Sequence, residues 1–421
     1  MQTTLAALAV VTVGYIFAYL VFDRLRRRFG YAGSAEYILF GFFLGPRMSG
    51  LLSDEAVREL TPIVSLAIGW LGMSLGTYFR LPTLVTRETS QLKVAFSTPV
   101  ATFLTALGVF LALFLLVLGL PMEQGAVLAA TLAAISTLSA PAAIDAFASN
   151  PQRRSHPLFP VLQLVSRVDG LIGIMAFGVM VAVFHQGEVA PSVRPPTATE
   201  WAVINIAVGV VSGILFHLFL GPREEWTGEV GGSRLFVALA AAIVIASGAS
   251  YYLNLSPVYT SLILGFILAN TGKAHQDARQ LLAATERPVY LALLVFAGAA
   301  WTAADPVLLF VAPALVGVRL LSRITGGYVG GRWSAADTIR SPRLGRAVLS
   351  QGGLAVAVAL NYGQIYPNVH PEVVLTAALL SVIMFDLVAA AETAAFLKPV
   401  ARPETPPQGT PAPVPVAGGN S

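Results

Sequence analysis

Thirteen long apolar stretches run through the chain and leave few options for its fold. They lie near 4–22, 33–50, 60–79, 94–119, 125–148, 157–184, 201–220, 234–252, 256–271, 288–302, 305–328, 345–362 and 373–397. Most approach the ~20 predominantly apolar residues that a helix needs to cross a bilayer. The division of 288–328 into two spans rests on Trp301-Thr302-Ala303-Ala304-Asp305-Pro306, read as a turn with Pro opening the next helix. Charged residues are only 11% of the 421, against roughly 25% in soluble domains. A soluble chain of this length would form two or three domains with charged surfaces, and too few charges are present to cover them. Disorder, collagen and coiled coil fail on composition. Zero Cys removes disulfide scaffolds, Cys-ligated metals and thiol catalysis. The expected fold class is an all-α polytopic membrane protein, embedded in lipid.

Basic residues orient the spans. Loops after odd-numbered spans, with the tail, hold twenty Lys and Arg, among them Arg24, Arg26, Arg27, Arg28, Arg153, Arg154, Arg340 and Arg343. Loops on the other side hold three, Arg47, Arg58 and Arg194. That asymmetry places the N-terminus outside and the C-terminus in the cytoplasm. The first span lacks a preceding basic residue and reads as a retained helix rather than a cleaved signal. The Pro-rich residues 399–421 read as a disordered cytoplasmic tail. No loop is long enough for an ATPase or kinase domain, and no phosphate-binding Gly-Lys-Ser/Thr motif occurs, which argues against primary active transport.

An internal repeat emerges from three matches. Ile38-Leu39-Phe40-Gly41-Phe42-Phe43-Leu44-Gly45-Pro46 aligns with residues 262–270 at an offset of 224. The polar, Pro-broken Ser136-Thr137-Leu138-Ser139-Ala140-Pro141 of the fifth span matches Ser350-Gln351-Gly352-Gly353 of the twelfth. Asp169 of the sixth span matches Asp386 of the thirteenth at an offset of 217. Copies seven spans apart face opposite ways across the membrane. Inverted repeats with interrupted helices are the pattern of secondary transporters, whose site lies near the midplane, and such breaks free backbone carbonyls and amides there.

Ionisable groups inside a membrane are functional candidates by default. At ~1.5 Å per residue Asp169 lies about 18 Å from the cytoplasmic end of its span, near the bilayer centre. Desolvation and nearby cations pull a carboxylate's protonation in opposite directions, so such an Asp suits exchange of a proton for a cation; the bland alternative is a structural ion pair. Arg319 and Arg323 share one face of the eleventh span. Arg319 reads either as countercharge to the ion-binding carboxylate or as an interhelical bridge to Asp386, and Arg323 as structural or snorkelling. Arg167 points away from Asp169 and is expected to pair with another helix. A structural role is favoured for Asp386. Glu36, Asp145 and Glu392 fall near span ends. No His cluster supports a transition-metal site, and no nucleophile–base set is present, so no enzyme and no cofactor are expected, nor any nucleic-acid partner.

In order and spacing these segments resemble the monovalent cation–proton antiporter superfamily. Residues 38–46 resemble its second-helix signature, and Ser136 to Ala143 its first unwound crossing. Val168-Asp169-Gly170 falls where the family has Asp-Asp or Asn-Asp, and Gly317-Val318-Arg319 where it has a basic residue. Leu349-Ser350-Gln351-Gly352-Gly353-Leu354-Ala355 resembles the second crossing helix. The resemblance spans the chain through Lys398. It implies a homodimer in which a scaffold (1–91 and 221–303) flanks a moving core (92–220 and 304–398) built around two crossed, discontinuous helices. It also implies that Asp169 carries Na+ or K+ and H+, helped by Ser136, Thr137 and Ser139, with Arg319 as basic partner. Pro141, Ser350, Gln351, Gly352 and Gly353 then form the breaks. Two departures stand out: Val168 replaces the first residue of the pair, and Ala140 an acid that some members have. A single carboxylate implies one proton per cation and electroneutral exchange across a bacterial cytoplasmic membrane. Two other readings remain: a sodium-coupled symporter of an organic anion, with Arg167 and Arg319 holding a carboxylate, and a non-transporting membrane scaffold or sensor.

Overall fold

The computed structural model describes residues 12, 34–186, 194–220, 229–271, 275–302, 309–334 and 343–397. Apart from Thr12, the first expected span lies outside them, as does the tail. The described residues are helical and contain no strand. The principal helices are α1 (Ala35–Leu44), α2 (Thr61–Gly76), α3 (Thr89–Leu111), α4 (Met122–Thr137), α5 (Pro141–Asp145), α6 (Phe159–Val183) and α7 (Ala198–Leu220). They continue with α8 (Glu229–Tyr252), α9 (Pro257–Asn270), α10 (His275–Ala299), α11 (Val311–Trp333), α12 (Leu344–Ala347), α13 (Gly353–Ile365) and α14 (Pro371–Phe396). Among the described residues seven helical stretches are long and apolar enough to cross a membrane. Others, such as α1 and α9, are shorter apolar helices, and α11 is less apolar because it carries Arg319, Arg323 and Arg332. This is a multi-pass membrane protein.

The packing pairs follow the seven-span offset. Helix α1 packs on α10 and α9 on α2; α3 packs on α6 and α11 on α14; α4 packs on α6 and α13 on α14. The α3–α11 contact maps onto itself. The repeated Gly41 and Gly265 take matching parts in this arrangement. A Cβ on Gly41 would lie 1.9 Å from the Val295 carbonyl oxygen of α10, and one on Gly265 would lie 2.2 Å from the Met73 carbonyl oxygen of α2. Both glycines let helix backbones touch, the usual use of small residues in membrane packing.

Several boundaries differ from the sequence reading, two of them in helices that hold buried or cavity-lining charges. The tenth span was expected to start at Pro288, yet α10 begins at His275 and carries Arg279, Glu286 and Arg287 within the helix. Its first turns are amphipathic: Ala278 and Leu282 are buried against Leu235, Leu239 and Leu268. That apolar face sustains the helix through a charged sequence, and Pro288 sits inside it. The eleventh span was expected to end near 328, but α11 continues to Trp333. Its last two turns are rich in glycine, which permits close packing: a Cβ on Gly327 would lie 2.4 Å from the Gly345 amide nitrogen, and one on Gly330 would lie 2.1 Å from Thr98 Oγ1.

Candidate ion-binding site

The site is built around two interruptions. Helix α4 stops at Thr137, and Leu138 (ψ 133°) and Ala140 (φ −97°, ψ 100°) are extended. Pro141 dictates this, because its ring disfavours helical geometry at the preceding residue while suiting the first position of α5. In the second interruption the chain leaves α12 and is extended at Gly352 before α13 begins. The two breaks meet: the Ala140 N–H donates to the Ser350 carbonyl at 2.9 Å. A Cβ on Gly352 would lie 2.8 Å from Ala140 Cβ, and one on Gly353 would lie 2.5 Å from the Tyr290 ring. A larger side chain at Gly352 would push the breaks apart, and one at Gly353 would push α13 off α10.

Stopping α4 exposes its last carbonyls, where the helix dipole is negative. Cationic and amide donors converge there. Arg319, fully buried, donates from Nη1 to the Ser136 carbonyl at 2.5 Å and the Ile135 carbonyl at 3.3 Å, and from Nη2 to the Leu349 carbonyl at 3.0 Å. Its guanidinium also lies 5.1 Å from the centre of the Phe385 ring. Gln351 Nε2 donates to the Ile135 carbonyl at 2.9 Å, and Ser381 Oγ holds Gln351 Oε1 at 2.6 Å. Arg319 therefore clamps both breaks at once.

Asp169 faces this cluster from the middle of α6, fully buried. Its Oδ2 accepts from Arg323 Nη1 at 2.5 Å and from Ser139 Oγ at 2.5 Å. Arg323 Nη2 donates to the Thr137 carbonyl and, at 2.8 Å, to Ser139 Oγ. Ser139 Oγ also lies 2.9 Å from the Val348 carbonyl, a second acceptor for its single proton. Among the described residues Asp169 Oδ1 and Ser136 Oγ are buried and have no hydrogen-bond partner. The trio of one carboxylate and two guanidinia carries one net positive charge, offset by the carbonyl end of α4.

Each expected residue now has a place. Asp169, Ser136, Thr137 and Ser139 converge with Pro141, Ser350, Gln351, Gly352 and Gly353 at the breaks. Thr137 contributes its carbonyl, while its hydroxyl is bonded to the Ala133 carbonyl at 2.9 Å. The ion pair with Asp169 is made by Arg323, whereas Arg319 binds backbone. Depth measured on a helix ending near 328 put Arg323 too close to the cytoplasm; on Val311–Trp333 it is central. Its i, i+4 spacing from Arg319 was the available signal. Arg319 does not bridge to Asp386, which instead accepts the Ser34 N–H at 3.3 Å. Arg167 pairs with Asp145 at 3.3 Å and stacks 4.5 Å from the Tyr78 ring centre. Before α6, His156 accepts the Leu158 N–H through Nδ1, and burial lowers its pKa, as befits a neutral ring.

No family profile matches the chain, and no curated protein sequence matches it. Its fold is similar to that of the sodium/proton antiporter MjNhaP1 from Methanocaldococcus jannaschii, with a TM-score of 0.66 and 14% identity over 92% of this chain and 99% of that one. The chain shares that antiporter's fold. At this identity the likeness concerns architecture, and function rests on the chemistry of the site.

Proposed function

We propose that this protein is a secondary-active antiporter that exchanges a monovalent cation, Na+ or K+, for H+. The observation that carries the reading is Asp169, a fully buried carboxylate at the meeting point of two broken helices, with one oxygen held by Arg323 and Ser139 and the other without a partner. The Arg323 guanidinium acts as an internal cation that competes with the substrate for the carboxylate. When a proton or a dehydrated cation takes Asp169, Arg323 keeps the Thr137 carbonyl and Ser139 Oγ as partners, so it is not stranded. Ser139 and the carbonyls of the first break supply neutral oxygens to an alkali cation. A single carboxylate shared by proton and cation couples the two fluxes one for one, which makes exchange electroneutral.

The paired packing under the seven-span offset supports an inverted repeat. On that reading the chain has thirteen spans with the N-terminus outside, the two discontinuous helices cross, and a core of α3–α7 and α11–α14 moves against a scaffold of α1, α2 and α8–α10 in a homodimer of the bacterial cytoplasmic membrane. The decisive experiment is cation-driven proton movement in proteoliposomes. Asp169→Asn abolishes it; an Asp169→Asn protein transporting like the parent would sink the mechanism. The excess guanidinium favours one competing reading, sodium-coupled uptake of an organic anion. Against it, among the described residues Arg319 donates to backbone carbonyls, those of Ile135, Ser136 and Leu349. Sodium-dependent anion uptake that moves no protons would favour the competitor.

A further inference from the structure

A cavity of about 640 Å³ lies beside the breaks, far larger than the roughly 30 Å³ share of a water molecule. Ser139, the hydroxyl partner of Asp169, is in its wall, and so is Asp386 of α14. Asp386 lies well inside that 26-residue apolar helix. It accepts the Ser34 N–H at 3.3 Å, and Ser34 Oγ is 2.5 Å from the Tyr290 hydroxyl. Among the described residues no Lys or Arg pairs with Asp386. A carboxylate within a membrane helix is costly unless a proton or a cation neutralises it. Asp169 has Arg323 for this purpose; Asp386 instead lines a cavity with room for water and ions.

We propose that Asp386, with the hydroxyls of Tyr290 and Ser34, is a second binding site for the transported monovalent cation, a staging site on the path to Asp169. The donor set suits an alkali ion: one carboxylate and neutral hydroxyl oxygens, all hard ligands. Glu286 lies in the same wall and accepts from Ser74 Oγ at 2.9 Å, adding a second carboxylate to the cavity, and acidic groups in a cleft concentrate counter-cations. The cavity also joins the two repeats. Ala140 and Ser350, whose backbones join the two breaks, line it together with Ser139 and Asp386, so one cavity connects Asp386 with the hydroxyl partner of Asp169. The two symmetry-related carboxylates thus divide the work, Asp386 collecting the ion and Asp169 exchanging it.

This rests on the antiport reading for the identity of the ion, but the site can be tested apart from it. Equilibrium binding of radioactive sodium, and separately potassium, is measured on the purified full-length protein at constant pH. In an Asp169→Asn background saturable cation binding persists. Adding Asp386→Asn weakens it by about tenfold or more, the scale seen when one supporting group of a metal site is lost. Asp386→Glu restores part of the affinity, which excludes misfolding as the cause, and Tyr290→Phe gives an intermediate loss. In proteoliposomes Asp386→Asn alone raises the apparent KM for the cation with kcat little changed. Loss of all saturable binding in Asp169→Asn, or an Asp386→Asn protein with unaltered affinity and KM, overturns the staging site. Asp386-dependent binding in a parent protein that moves no protons would instead overturn the antiport reading and leave the site standing.

Discussion

Asp169 and Asp386 hold corresponding places in the two halves of the molecule but are kept there by different physics. Asp169 is sealed, with no solvent exposure, and is stabilised by a guanidinium and a serine hydroxyl. Asp386 lines a large cavity, accepts the Ser34 backbone amide and, among the described residues, has no Lys or Arg partner. A sealed carboxylate needs a partner fixed in the fold, whereas one on a cavity wall can use water and mobile ions. Duplicated positions therefore need not have duplicated roles. On the proposed reading, burial decides which of the two serves exchange and which serves access.

The comparison breaks most readily at the buried pair. Arg323→Met leaves Asp169 buried without its cation, and the expected loss of stability is about 3–5 kcal/mol. Adding Asp169→Asn recovers much of that loss, because the stranded charge is gone. Asp386→Asn, by contrast, changes stability by no more than about 1 kcal/mol, the scale of one partly solvated hydrogen bond. Thermal unfolding of the purified variants in detergent, read as a double-mutant cycle, checks all three values. An Asp386→Asn loss equal to that of Arg323→Met would erase the distinction between sealed and open sites.

The next largest effect is expected at the seat of Arg323. A Cβ on Gly345 would lie 1.7 Å from the Arg323 carbonyl oxygen, so Gly345→Ala must shift α11. Overpacking of this kind costs about 1–3 kcal/mol, and it also moves the guanidinium off Asp169. Transport is expected to fall further than stability alone explains, as measured by proton flux per folded protein. Gly108, which has nothing near its would-be Cβ, provides the control. Gly108→Ala leaves flux intact.

The sequence made the first half of this comparison easier to read than the second. Pro141 and the Ser and Thr around it mark a break in an apolar run, and a lone Asp deep in the next span marks the charge that uses it. These signals are local and chemical, so they survive without coordinates. The identity of the cation that meets Asp169 is not local. Arg319 and Arg323 differ by one helical turn, and the choice between them depends on where α11 ends and on the Gly345 contact that seats it. Likewise the amphipathic start of α10 is hidden by its charges, because only packing against Leu235 and Leu239 reveals its apolar face. The cavity beside Asp386 gathers residues from both halves of the chain, and no spacing rule brings those together.

A smaller effect is expected at Gln351, which ties the two breaks together. Gln351→Leu leaves the Ile135 carbonyl and Ser381 hydroxyl without that partner, a loss of about 1–3 kcal/mol for unsatisfied buried groups. The Ile135 carbonyl retains Arg319, which bounds the effect from above. Hydrogen exchange is the sensitive measure: protection at Ala140, whose N–H binds Ser350, falls in the variant if Gln351 holds the breaks in register. Unchanged protection there would assign the register to Arg319 alone.

The smallest effect is expected at Arg167, and it calibrates the others. This arginine is two residues from Asp169 yet pairs with Asp145, and both side chains keep partial exposure, 24% and 33%. Water screens such a pair, so Arg167→Gln costs no more than about 1 kcal/mol from the ion pair, with a similar small share from the Tyr78 ring. The effect also shrinks as salt is raised toward 1 M, where screening acts over roughly 3 Å. The Arg323→Met loss does not shrink, because no salt reaches a sealed pair. Equal salt dependence of the two variants would mean that ions do reach Asp169 in this conformation. The contrast between a sealed exchange site and an open staging site would then have to be redrawn as two points along one wet path.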